Sequence, residues 1–325
     1  MLFIGSTNIS NKMHNLILGY GLLGKEIVKQ TGWDYKCRKK GFDLLESNLE
    51  EEIIEYIDLN HAGRVGYTYP STIINCIANT DTYSKDKQSH WDVNYYGVSR
   101  LVDFCNKFKI KLIHISTDYI YANSDNIASE EDVPVHCNNW YGYTKLLADG
   151  YVQLKSNDYL IIRCTHKPKP FKYNGAWIDQ FGNFDYVDEI SKSIVKLINK
   201  KCSGVYNVGT ELKNMYSMAL KTNKDVKPIL KPNAIPGNIT MDITKLNEIT
   251  KDQNITWSEK PIKSCILEEL DKMEFNENSF PAHISNIPHD HADFLLHNQL
   301  KNRLYKCDGI YYFKAEKCWI NDEKI

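Results

Sequence analysis

Tyr141 and Lys145 stand four residues apart in Tyr141-Gly-Tyr-Thr-Lys145, near the start of an expected helix. That spacing puts both side chains on one helical face. A free phenol titrates near pH ~10 and is a poor acid–base group at neutral pH. An ammonium one turn away, aided by a cationic nicotinamide in an oxidised complex, favours the phenolate and lowers that value. Such a tyrosine can give a proton to a carbonyl oxygen as hydride arrives from a cofactor, and Lys145 can hydrogen-bond the nicotinamide ribose. Taken alone, a Tyr-x-x-x-Lys pair reads first as an ordinary helix-surface pair. Its neighbours change that. A strand expected to end at Ile115 delivers Ser116-Thr117-Asp118-Tyr119 to the carboxyl edge of a sheet, where a hydroxyl can share the carbonyl with Tyr141. Asn94, in the preceding helix, can anchor a water leading to Lys145; its spacing fits a solvent-facing asparagine equally well.

A second set of spacings concerns phosphate. Gly19-Tyr-Gly21-Leu22-Leu23-Gly24 follows one strand and opens one helix. There the first glycine permits a tight turn, the second lets backbone approach a pyrophosphate, and the third allows close helix–strand packing. The helix N–H groups and positive end then hold the phosphates. At the end of the next strand, an acidic residue would bind a ribose 2′-hydroxyl and basic residues a 2′-phosphate. Here the chain runs into Arg38-Lys39-Lys40, while Asp34 comes too early to reach the ribose. NADP(H) is therefore expected over NAD(H), against the plainer reading of a solvated basic turn.

These groups need a scaffold, and the texture of the chain supplies one. Strands are expected at residues 15–19, 33–37, 72–77, 111–115 and 159–163, with helices at 22–30, 50–59, 93–108 and 141–154 between them. That rhythm predicts an α/β fold, a Rossmann-type doubly wound parallel sheet with crossover helices. Residues 1–14 read as an N-terminal extension, 15–165 as the dinucleotide-binding domain, and 166–271 as a smaller substrate-binding region. In that region a helix at 187–199 and a strand at 204–208 return to the sheet. Residues 272–325 form a C-terminal appendage with a hairpin expected around Gly309-Ile-Tyr-Tyr-Phe313.

Composition excludes several classes. The 325 residues are 42% hydrophobic, too apolar for an extended disordered chain, and no run approaches a membrane span. A formal net charge of -1 offers no broad field for nucleic acid or anionic lipid. Nine cysteines without CxxC pairs, and an opening that lacks a signal-peptide pattern, fit thiols in a reducing cytosol. His283, His289, His291 and His297, with Cys307 and Cys318, match no standard four-ligand spacing, so no metal is expected. A homodimer stays open.

With those residues in view, the sequence resembles the extended short-chain dehydrogenase/reductases, and among them the dTDP-4-dehydrorhamnose reductases and related nucleotide-sugar 4-ketoreductases. The matching segments are the glycine turn, Ile74-Asn-Cys-Ile-Ala-Asn-Thr80, Val93-Asn94, Ile115-Ser-Thr-Asp-Tyr-Ile-Tyr121 and Tyr141-Gly-Tyr-Thr-Lys145. A fainter likeness continues through residues 186–190 and 204–208. The resemblance implies Thr117, Tyr141 and Lys145 as the catalytic set and Gly19, Gly21, Leu22, Leu23 and Gly24 at the pyrophosphate. It places Asp43 near the adenine, and Ala78 and Asn79 on the ribose side. It also implies NADPH-dependent reduction of a 4-keto-6-deoxy sugar carried by a nucleoside diphosphate, giving a donor of L-rhamnose type.

The chain departs from the pattern at 163–188, which is short for a substrate-contacting segment. Trp177, Lys167, Lys169 and Lys172 could meet a sugar or diphosphate there, or simply pack and be solvated. Two other functions stay open. One is a bifunctional 3,5-epimerase/4-reductase on a UDP-linked sugar, for which His90, Cys76 and Lys167 have suitable chemistry but no identifying spacing. The other is a non-catalytic NADP-binding subunit similar to the regulatory subunit of methionine adenosyltransferase.

Overall fold

Apolar residues alternate sides along every central strand, and that alternation dictates a sheet covered on both faces. The structure, a computed structural model, describes residues 15–53, 55–60, 64–122, 124, 127–132, 139–232 and 235–250, and strands at 304–307, 310–315 and 318–322. For 55–60, 64–68 and those last three strands, the backbone alone is described. Six strands make the main sheet: β1 (Asn15–Leu18), β2 (Asp34–Lys36), β3 (Thr72–Asn75), β4 (Lys111–Ser116), β5 (Tyr159–Arg163) and β6 (Gly204–Asn207). Their order is β6-β5-β4-β3-β1-β2, and every pairing is parallel. The order reverses between β1 and β3, which places a ligand crevice at the carboxyl ends of those two strands. This is the Rossmann-type doubly wound sheet.

Four helices cover it: α1 (Leu22–Thr31), α2 (Gly97–Phe108), α3 (Trp140–Lys155) and α4 (Val187–Asn199). Ile17, Ile74, Ile113, Leu160 and Ile162 turn to one face and bury against Leu23 and Ile27 of α1 and Ile190, Ile194 and Leu197 of α4. Leu16, Leu18, Ile73, Leu112 and Ile161 turn to the other, against Val98, Leu101 and Val102 of α2 and Ala148 and Val152 of α3. Beyond β5 the chain builds short paired strands, His166–Lys167 with Asp185–Tyr186 and Gly175–Trp177 with Lys227–Ile229. Around them lies a third cluster that includes Tyr119, Phe171, Phe184 and Met218.

Two expectations change. The helix expected over 50–59 stops early: Leu49–Ile53 is helical, and Glu55–Asn60 is a strand paired antiparallel with Arg64–Thr68. Cross-strand bonds satisfy that backbone, where so short a helix would leave most of its terminal groups open. The helix expected from 93 is preceded by a wider π-helical turn, Trp91–Tyr96, before α2. Leu304–Cys307 and Ile310–Ala315 pair as the expected hairpin, with Cys318–Asp322 adding a third strand. The N-terminal extension and the histidines at 283–297 lie outside the described residues. No described helix is long and apolar enough to cross a membrane, and no group of three His, Cys, Asp or Glu among the described residues could hold a metal.

Candidate active site

At the end of β1 the chain turns through Gly19, whose φ of 99° is a conformation that L side chains rarely adopt. Its N–H donates to Lys36 O at 2.9 Å, tying the turn to β2. A Cβ added at Gly24 would lie 2.1 Å from Gly19 O, so α1 can approach the turn only with glycine at that position. At Gly21 an added Cβ would meet nothing within 4 Å, and the space beside it is cavity. The N-terminus of α1 carries no side-chain cap and no acidic residue in its first turn. Its N–H groups and positive end are therefore left for a ligand. This cradle of free donors and absent side chains fits a pyrophosphate.

A cavity of about 830 Å³ extends from the turn past Tyr35, Arg38, Asp43, Ala78 and Asn79. Tyr20 stacks on Tyr35 at 3.9 Å, and Lys40 Nζ lies 3.6 Å from the Tyr35 ring centre. Arg38 Nε donates to Asp43 Oδ2 at 2.6 Å. Burial works against the Asp43 carboxylate, but the Leu45 N–H and the Arg38 guanidinium hold it below the usual range.

A second cavity, about 410 Å³, is lined by Tyr141, Lys145, Ser116, Tyr119, Lys167 and Gln180 among others. Gly21, Cys76, Ala78 and Thr80 line both spaces. α3 starts at an Asn139 cap whose Oδ1 accepts from the Gly142 N–H at 2.8 Å, and this sets the helix over the end of β4. Tyr141 packs edge-on against Tyr119, ring centres 5.9 Å apart. Lys145, 1% exposed, donates to Ile115 O at 2.5 Å and lies 3.3 Å from His114 Nε2. Burial pulls its ammonium down to about 8, with the Asp149 charge pulling the other way.

Residues 13–166 match the family described as the RmlD substrate binding domain. That segment is just under half of the chain, and it carries the chain's likeness to the extended short-chain dehydrogenase/reductases. The spore coat polysaccharide biosynthesis protein SpsK of Bacillus subtilis (strain 168) is 23% identical over 208 residues, 58% of this chain and 70% of the relative. A dTDP-4-dehydrorhamnose reductase of Aggregatibacter actinomycetemcomitans is 21% identical over 272 residues, 76% of this chain and 87% of the relative. Among solved structures, the dTDP-4-dehydrorhamnose reductase of Bacillus anthracis str. Ames in complex with NADP superposes with a TM-score of 0.59 at 22% identity, covering 73% of this chain and 92% of that one. Others of this fold hold NAD with a UDP-linked sugar. At these identities the structural likeness establishes the fold.

The RmlD-like segment brings the expected residues into two groups. Gly19, Gly21, Arg38, Asp43, Ala78 and Asn79 line the larger cavity; Gly21, Leu22, Leu23, Gly24, Tyr141 and Lys145 line the smaller. Thr117 lies behind that wall. It is fully buried, its Oγ1 donates to Asp118 Oδ1 at 3.2 Å, and it accepts from the Tyr119 N–H at 3.2 Å. The hydroxyl that does line the smaller cavity is Ser116, whose Oγ is buried with no hydrogen-bond partner among the described residues. The residues alone leave open which strand-end hydroxyl serves, and the family resemblance implies Thr117. Two adjacent hydroxyls at a strand end point to opposite sides, and spacing alone cannot say which side holds the ligand.

Asn94 neither faces solvent nor points at Lys145. The π-turn buries it completely; its Oδ1 accepts from Asn79 N at 2.8 Å, and its Nδ2 reaches Asn79 O at 3.0 Å and Thr144 Oγ1 at 3.1 Å. It fastens the loop after β3 to α3. Trp177 packs against the third cluster and does not line the smaller cavity. Of the three lysines weighed with it, Lys167 lines that cavity, Lys169 pairs with Asp188 at 2.6 Å, and Lys172 stands 5.8 Å from the Tyr173 ring centre. Cys76 also lines it, with its thiol pushed up to about 12 by burial, whereas His90 lies against Asn94 outside it.

Proposed function

We propose that the protein is an NADPH-dependent reductase of a 4-keto-6-deoxy sugar carried by a nucleoside diphosphate, similar to the dTDP-4-dehydrorhamnose reductases, and makes a donor of L-rhamnose type. One observation carries this reading: Tyr141 and Lys145 line a cavity that shares a wall with the pyrophosphate cradle. When bound, the nicotinamide supplies hydride to the carbonyl carbon. The Tyr141 hydroxyl gives its proton to the carbonyl oxygen, leaving a phenolate beside Lys145, which is reprotonated from water. Lys145, buried and anchored on Ile115 O, stabilises that phenolate. Ser116 Oγ, with its hydrogen-bonding capacity unspent, orients the ketone from the strand end. The Rossmann sheet, the family match over residues 13–166 and the basic Arg38-Lys39-Lys40 turn support the reading.

The test supplies purified protein with a nucleoside-diphosphate 4-keto-6-deoxy sugar and follows NADPH consumption. Turnover is expected, and Tyr141→Phe should reduce kcat by about 10² to 10⁴ while NADPH still binds. Ser116→Ala should lower kcat more than Thr117→Val does. Undiminished reduction by Tyr141→Phe would remove the catalytic assignment.

A further inference from the structure

The three protons of an ammonium need three directions, and at Lys145 two of them are set by β4. Ile115 O accepts from Nζ at 2.5 Å, and His114 Nε2 lies 3.3 Å from it. On the far side of the imidazole, Asn75 Nδ2 stands 3.5 Å from Nδ1, and Asn75 Oδ1 accepts from the Ile77 N–H at 3.1 Å. Lys145, His114 and Asn75 are each no more than 1% exposed. A polar line from β3 through β4 to α3 thus crosses a sheet face otherwise packed with Leu18, Ile73, Leu112 and Ala148. Buried polar groups persist in such a place only when each is partnered.

We propose, resting on the reading of Tyr141 and Lys145 as the reductase pair, that His114 is a positioning residue: its Nε2 fixes the Lys145 amine so that the remaining N–H is turned into the cavity beside Tyr141. The other groups facing Lys145 leave this task to His114. Cys76, just past β3, and Cys164, just past β5, have thiols pushed up by burial and stay uncharged. Asp149, one turn further along α3, is held by Arg163 through Nε at 3.0 Å and Nη2 at 2.9 Å. Burial first, and then the Lys145 charge, hold the imidazole neutral, well below the usual histidine range. A neutral imidazole can accept from the ammonium at Nε2, its Nδ1 proton then facing the Asn75 amide without a bond, or, in its other tautomer, donate to the free amine while Nδ1 accepts from Asn75 Nδ2. It can therefore hold Lys145 through both protonation states, whereas an apolar residue would leave Nζ with one anchor and a larger desolvation cost.

The experiment labels lysine side chains with ¹³C at the ε-methylene and titrates Lys145 by NMR, its signal identified by its loss in Lys145→Met. In His114→Leu the midpoint should fall by about one unit, because burial then acts on an amine with one acceptor fewer. His114→Gln, whose amide can also accept or donate, should stay near the parent. With substrate, the pH limb of kcat should move with the Lys145 midpoint. Should the leucine variant not fold, His114→Asn, too short to reach Nζ, takes its place. A folded leucine or asparagine variant whose Lys145 midpoint does not move overturns the proposal, as does a glutamine variant that shifts as far as leucine. A purely structural His114 would lower the melting temperature and leave the titration alone. A parent protein that titrates as expected but reduces no keto sugar would sink the reductase reading, with the His114–Lys145 coupling upheld by the NMR alone.

Discussion

Asp118 Oδ1 accepts from the hydroxyls of Thr117 at 3.2 Å and Thr165 at 2.6 Å, while Oδ2 is buried without a partner among the described residues. Burial pushes this carboxyl up to about 6, against the pull of both threonines and Lys167. Its folded value therefore lies above the ordinary 3.8, and the folded state takes up the proton first as the pH falls. The stability so contributed is present at low pH and is lost as pH rises through about 6. Asp118→Asn, which mimics the protonated form, should be more stable than the parent by about 1–3 kcal/mol at pH ~8. That advantage should shrink as the pH is lowered through the Asp118 range, measured by urea unfolding across a pH series. A constant difference would contradict the account. The same carboxyl engages the Thr117 hydroxyl, so a single buried residue decides both a pH dependence and which strand-end hydroxyl is free to meet a ligand.

α3 is fastened to β5 by a pair buried on both sides, Arg163 and Asp149, with side chains 2% and 1% exposed. Arg163 also donates to the Tyr121 hydroxyl, which in turn donates to Asn207 Oδ1 at 3.1 Å on β6. Arg163→Met should cost about 3–5 kcal/mol, because it leaves the Asp149 charge uncompensated. Adding Asp149→Leu in the same chain should restore much of that loss, measured as a double-mutant cycle in urea. A single replacement that costs no more than a surface change would show the pair to be dispensable.

At the same scale, some elements were legible in the amino-acid string and some were not. Thr72–Asn75 and Tyr159–Arg163 announce buried strands because their apolar runs serve both faces of a covered sheet. The glycine turn was legible because its spacing states a backbone requirement, visible at Gly24 as a contact no side chain could survive. Residues 55–60 were not, since Ile53, Ile54 and Ile57 fit a helical stripe and their strand depends on a partner at 64–68. Nor was the destination of Asn94: its burial follows from one wider helical turn, which no 3.6-residue periodicity contains. Tyr141 and Lys145 could be placed on one face from spacing, but His114 behind the lysine becomes visible only when β4 is laid under α3.

Over the whole molecule the formal charge is -1, yet Lys25, Arg38, Lys39 and Lys40 gather at the larger cavity against two carboxylates, Asp43 and Asp81. A local field of that sign within a nearly neutral chain favours an added phosphate over a bare ribose hydroxyl. NADPH should bind more tightly than NADH. Arg38→Ala combined with Lys40→Ala should weaken NADPH by about tenfold or more and leave NADH nearly unchanged, since each charge-assisted contact is worth about 1.5–3 kcal/mol. Dissociation constants for the two cofactors, taken at two salt concentrations, check this; equal losses for both would refute a 2′-phosphate site.

Gly21, Cys76, Ala78 and Thr80 are a partition between the two cavities. Whatever settles on the glycine turn therefore becomes part of the wall of the smaller cavity. On the reading proposed above, turnover should run in sequence, dinucleotide entering first and leaving last, with the spent cofactor competing against the fresh one in product-inhibition kinetics.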